Sequence, residues 1–102
     1  MGFIEREDVM IVGPRARARR SFALDSGSEV SFLPVDLARK LQLPVVGYGP
    51  VRTPAGTLRR VPIVRATLWV RNHRFDVDLQ ALPGEMFALG MDVLPQLRFC
   101  VT

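Results

Sequence analysis

The chain is poor in the residues that make covalent or metal staples: it has one cysteine, Cys100, and one histidine, His73. A lone cysteine excludes an intrachain disulfide framework and a multi-cysteine zinc site, so the fold must stand on packing alone, and no metal or cofactor is expected. Long apolar runs are missing as well. None approaches the ~18 residues of a membrane-spanning helix, and residues 1–7 lack the apolar stretch and cleavage signature of a secretory leader. The expectation is a cytoplasmic protein with no membrane segment. Lysine is nearly absent, since of the 14 basic residues all but Lys40 are arginine.

What is present suits one small globular domain spanning residues 1–102, with 48% hydrophobic and 24% charged side chains. A domain of this size buries only about two-thirds of its unfolded surface, so a second copy would add stability. The net charge of +4 and pI near 10.6 raise the question of a phosphate-rich partner. The arginines are scattered, apart from Arg15-Ala16-Arg17-Ala18-Arg19-Arg20. At strand periodicity that run puts Arg15, Arg17 and Arg19 on one face, the pattern of a solvated strand edge. No aromatic residue interleaves with it along the chain, so no nucleic-acid partner is expected.

Eight prolines and eight glycines punctuate short apolar runs, which predicts many strands and no long helix. Residues 9–12, 21–24 and 30–33 read as strands. From Val61 on, Pro62, Val64, Ala66, Leu68 and Val70 share one face and Arg65 and Thr67 the other. Arg71-Asn72-His73-Arg74 reverses the chain, and the return strand sets Phe75, Val77, Leu79 and Ala81 against Arg74, Asp76, Asp78 and Gln80. Asp76 and Asp78 are expected to pair on the surface with Arg65 or Arg74. A helix is predicted over 34–41, with proline in its first turn and Arg39 and Lys40 near the negative end of its dipole. A brief helical turn follows Gly90, capped by Asp92 and limited by Pro95. The fold class is all-β, a small closed β-barrel or sandwich with one or two short helices.

One carboxylate stands out. Asp25 leaves the apolar run Phe22-Ala23-Leu24 directly into Ser26-Gly27-Ser28. Asp, Ser and Gly are ordinary turn formers, so the triplet alone says little. Gly27 has no β-carbon and lets the backbone approach the carboxylate, where its N–H can donate a hydrogen bond. The order of the pieces gives the triplet weight: apolar strand, Asp25-Ser26-Gly27-Ser28, a second apolar strand, a helix, a glycine-bearing turn, a long hairpin, and Ala88-Leu89-Gly90-Met91-Asp92. His73, by contrast, sits in a polar turn and is a poor candidate for a Ser-His-Asp arrangement.

In these segments, from about Val9 to Leu97, the sequence resembles the single-domain aspartic proteases of the retroviral (retropepsin) type. Phe22-Ala23-Leu24-Asp25-Ser26-Gly27-Ser28 is similar to the family's catalytic segment, and Ala88-Leu89-Gly90 to its second mark, two apolar residues before a glycine. The resemblance implies a homodimeric aspartic endopeptidase acting on peptides or proteins. Asp25, Ser26 and Gly27 would form the catalytic loop, with the two Asp25 carboxylates sharing a proton at a two-fold axis. The Ser26 hydroxyls would hydrogen-bond across the dimer. The family's flap matches Thr53-Pro54-Ala55-Gly56-Thr57, so Pro54, Ala55 and Gly56 would contact substrate together with Ser28, Glu29 and Ala88. Glu29 and Met91 stand where many viral members carry an Asp and an Arg that pair, which places the chain nearer to bacterial and ubiquitin-shuttle relatives. Residues 98–102 are few for an interdigitated dimer sheet. The alternative function is a catalytically weak or inactive domain that keeps the fold for dimerisation or peptide binding.

Overall fold

The computed structural model describes residues 5–53 and 56–101. In chain order its elements are β1 (Arg6–Val12), β2 (Arg17–Leu24), β3 (Phe32–Pro34), α1 (Val35–Lys40), β4 (Val45–Thr53), β5 (Gly56–Val70), β6 (His73–Leu82), β7 (Ala88–Leu89) and α2 (Leu94–Val101). The expected all-β class with two short helices is observed. The strands run β1-β2-β7-β3-β6-β5-β4, and a further pairing of β1 with β5 joins the order into a ring that leaves β4 outside. β4 pairs with β5 between Gly56 and Val64, and β1 with Thr67 to Trp69.

Period-two alternation turns one face of each strand inward. Val9 and Ile11 from β1, Val64, Ala66, Leu68 and Val70 from β5, and Phe75, Val77, Leu79 and Ala81 from β6 are all buried. They meet Leu37, Ala38 and Leu41 around α1 and Val93, Leu94 and Leu97 around α2 in one core. Pro62 departs from the expected alternation: it is half-buried, while its neighbour Val61 packs with Val51 and Leu82 in a second small cluster. The inward phase is odd at Val61 and even from Val64, and the β4 pairing is irregular along this stretch, with register shifts at Val45/Gly47 and Gly49/Val51.

The hairpin between β5 and β6 turns on Arg71 and Asn72, at φ 48° and 69°, the paired positive φ values of a two-residue type I′ connection. His73 therefore belongs to β6, opposite Val70, and is exposed. Asn tolerates the left-handed region, and Arg71 is anchored there by a bidentate pair with Glu7 at 3.0 and 2.7 Å. Arg65 pairs with Asp78 at 3.0 Å and Arg74 with Asp76 at 3.3 Å, the surface pairs expected from the alternation. α1 starts after Pro34. It closes with Gln42 at φ 54°, where Leu43 N–H donates to Ala38 C=O and Gln42 N–H to Arg39 C=O, both at 3.0 Å.

Two expectations for the C-terminal segment are corrected. Pro95 does not shorten the last helix: it is the second residue of α2, which runs on to Val101. First-turn amides have no partner within a helix, so a residue without an N–H fits there. Asp92 does not cap that helix either, because its carboxylate is taken by Ser31.

Leu33 is fully buried, so Leu33→Ala should cost about 2–5 kcal/mol in urea unfolding at fixed protein concentration. A loss under about 1 kcal/mol would show that the core is not packed as described. The Asp76 carboxyl is held below its ordinary value, chiefly by the Thr67 hydroxyl and also by Arg74, against a smaller opposing effect of burial. Stability from this carboxylate is thus present above its unfolded-state pKa and lost as pH falls through the lowered folded value. Thr67→Val should raise the Asp76 midpoint toward the ordinary range in a carboxyl NMR titration; an unmoved midpoint would remove the hydroxyl as the cause.

Candidate active site

The Asp25 loop is built by β2 and β7. The two strands run parallel, with Ala23 opposite Ala88 and Leu24 opposite Leu89. The pairing continues into the loop, where Asp25 N–H donates to Leu89 C=O at 2.9 Å. The chain then turns tightly, and Ser28 N–H donates to Asp25 C=O at 3.1 Å. Within the turn Gly27 N–H donates to Asp25 Oδ1 at 3.0 Å. A β-carbon on Gly27 would lie 3.3 Å from that same oxygen, which is why glycine suits the position. The Asp25 backbone is therefore fixed from one side and one carboxylate oxygen from the other. Asp25, Ser26 and Gly27 are exposed. No other hydrogen bond engages Asp25 Oδ2 or the Ser26 hydroxyl among the described residues.

The remaining predicted site residues divide. Ser28 faces inward: its hydroxyl donates to Val30 C=O at 2.7 Å and its carbonyl accepts Met91 N–H at 2.8 Å. Glu29 is exposed and Met91 is 45% exposed, and no ion pair joins the loop to this segment among the described residues. Ala88 lies beside the Asp25 strand but is only 1% exposed, because Ala23 and Phe32 flank it in the sheet. It offers a pocket almost no surface in this chain. Gly56 opens β5 opposite Thr53 at φ 130°, a conformation that favours glycine. Pro54 and Ala55 lie outside the described residues. β4 ends at Thr53 and β5 starts at its partner Gly56, so β5 begins earlier than the strand expected from Val61.

Two features escaped sequence reasoning. The first is a polar cluster behind the loop. Ser31 is fully buried. Its hydroxyl donates to Asp92 Oδ1 at 2.6 Å and accepts Gly90 N–H at 2.9 Å, while its own N–H donates to Asp92 Oδ2 at 3.0 Å. A β-carbon on Gly90 would collide with the carbonyls of Ser28 and Val30, so only glycine lets β7 press against the loop. Ser31, a polar residue between Val30 and Phe32, was the available signal: a buried hydroxyl needs a partner. The second is Met86, an apolar side chain 69% exposed in the connection leading to β7, next to Phe87, whose C=O accepts the Ala23 N–H of the Asp25 strand at 3.0 Å.

With this geometry in place, solved structures identify the fold. The solution structure of simian foamy virus (mac) protease matches with a TM-score of 0.68 at 17% identity, covering 92% of this chain and 96% of that one. The EIAV protease, in complex with the inhibitor HBY-793, matches with a TM-score of 0.77 at 16% identity, covering 96% of this chain and 91% of that one. The chain has the fold of the retroviral proteases. No family model matches it, and no curated protein does.

Ser31→Ala leaves the buried Gly90 amide without its acceptor and takes the hydroxyl's hydrogen bond from the exposed Asp92 carboxylate. It should cost about 1–3 kcal/mol in denaturant unfolding. A change within about 0.5 kcal/mol, the range of an ordinary surface substitution, would show that the cluster does not hold the loop.

Proposed function

We infer that this chain is one half of a homodimeric aspartic endopeptidase in which two Asp25 carboxylates activate water against a peptide bond. The observation that carries this reading is the exposed Asp25, held by Leu89 C=O and Gly27 N–H on a retroviral-protease fold. Acid–base activation of water by paired carboxylates needs two such groups, and each chain holds one Asp-Ser-Gly triplet. A second copy docked loop to loop supplies the other. At that distance two negative charges repel strongly, so the pair keeps one proton between them. One carboxylate then takes a proton from the water while the other gives its proton to the scissile carbonyl oxygen. The exposed Ser26 hydroxyls are placed to hydrogen-bond across the axis.

Substrate binds extended, with main-chain bonds to the loop around Gly27 and Glu29 and to the flap around Pro54, Ala55 and Gly56. Apolar side chains are read by the surface to which Met86 contributes, beside Ala88. Glu29 and Met91 carry no counterpart of the Asp–Arg pair of viral enzymes, which supports a place among bacterial or ubiquitin-shuttle relatives. In this chain the loop is braced instead by Ser31 and Asp92.

Purified protein should cleave an unfolded, apolar-rich polypeptide at mildly acidic pH and be blocked by a statine-type inhibitor. Asp25→Asn should lower the rate by roughly 10²–10⁴-fold, the ordinary contribution of a general acid or base, with no change in circular dichroism. Undiminished cleavage by that variant would remove the mechanism. Peptide affinity without turnover in the native protein would favour a binding module instead.

A further inference from the structure

The arginine run lacks an aromatic partner along the chain, but not across the sheet. β1 sits between β2 and β5, and the registers align Arg19 with Met10, Met10 with Trp69, and Trp69 with Arg74. Four strands thus carry one continuous row, Arg19–Met10–Trp69–Arg74, on a shared face. The next row is Arg17–Val12–Thr67–Asp76. The opposite face at these positions is the core, where Val9, Ile11, Leu68 and Val70 are fully buried. This outer face is exposed at Arg17, Arg19 and Arg74, and Trp69 is 44% exposed. With strands about 4.8 Å apart, the Trp69 backbone lies about 5 Å from that of Arg74 and about 10 Å from that of Arg19.

The charges on this face are unequal. Asp76 is engaged by Arg74 and Thr67, and Asp78 by Arg65. Asp8 lies beyond the Arg19 row, opposite Ser21. Among the described residues no carboxylate pairs with Arg17 or Arg19. Two guanidinium groups with no carboxylate partner among the described residues therefore share the face of one accessible indole, two strands away from it.

We propose that this outer face binds single-stranded nucleic acid, with a base stacked on Trp69 and phosphates held by Arg17 and Arg19. An exposed ring flanked by cations is the arrangement that takes an unpaired base and its backbone together, whereas a duplex keeps its bases' flat faces hidden. A lipid surface fits less well. The other large exposed apolar side chains lie elsewhere, on β4 and around β7, so this face would insert a single ring. An acidic peptide would use the arginines and leave the indole idle. The site is independent of Asp25 and of the peptidase reading.

Trp69 is the only tryptophan, so its fluorescence reports the event directly. Titration of the whole protein with a short oligothymidylate at low salt should quench it saturably, with affinity falling as salt rises. The double variant Arg17→Gln/Arg19→Gln should weaken binding at least about tenfold and lower the log–log salt slope by ~1.4, at ~0.7 for each lost phosphate contact. Trp69→Leu, followed by anisotropy of a labelled oligothymidylate, should also bind more weakly, and Asp25→Asn should bind as the native protein does. Absence of quenching would overturn the proposal. So would equal or tighter binding of a DNA duplex, polyglutamate or phosphatidylserine vesicles, a comparison that needs no variant.

Discussion

Everything around Asp25 depends on β7, a strand of two residues with partners on both sides. Ala88 and Leu89 lie parallel to β2 and antiparallel to β3, and Leu89 C=O accepts the Asp25 amide. So short a strand cannot hold itself. It is clamped at its end by Ser31, whose buried hydroxyl accepts a hydrogen bond from the Gly90 amide and donates one to Asp92. A hydrogen bond to a carboxylate contributes more than a neutral one, and the buried Gly90 amide would be costly to leave without an acceptor. Gly90 permits the close approach, because a side chain would strike the carbonyls of Ser28 and Val30. The same clamp starts α2, since Val93 and Leu94 amides donate to Gly90 C=O at 3.0 and 2.9 Å. One cluster thus fixes the loop, the strand behind it and the last helix.

This bracing bears on the departures at Glu29 and Met91. Where an ion pair could tie the loop to the following segment, the chain uses backbone bonds, Met91 N–H to Ser28 C=O above all, together with the Ser31–Asp92 pair. Neither depends on long charged side chains reaching through solvent. The support leaves Asp25 and Ser26 exposed and ready to meet a second copy, as the proposed half-site requires.

Local pattern carried much of the fold. The hairpin of β5 and β6 was legible because Val64 to Val70 and Phe75 to Ala81 alternate over one core, and the helix over 34–41 because its proline and its closing Arg39 and Lys40 agree. The Gly27 amide on Asp25 was legible too, since a tight turn without a β-carbon allows it. The rest needed contacts distant in sequence. Ser31 and Asp92 are 61 residues apart, and Asp92 read locally as a helix cap because its partner was unseen. Pro95 read as a stop because the helix start was placed too early. The arginine run read as lacking an aromatic neighbour, which is true along the chain and false across β1, where register alone sets the row. Pro62 broke the alternation where β4 pairs irregularly, a feature that period-two counting cannot carry.

The proposed activity requires two copies of Asp25 to meet. Its most direct test is the separation of the two Asp25 carboxylates in a crystal structure of the assembled protein bound to a statine-type peptide. The expected result is a two-fold dimer with those carboxylates within hydrogen-bond distance of each other and of the inhibitor hydroxyl. A dimer that holds them far apart, or a monomer that binds the inhibitor elsewhere, would contradict it.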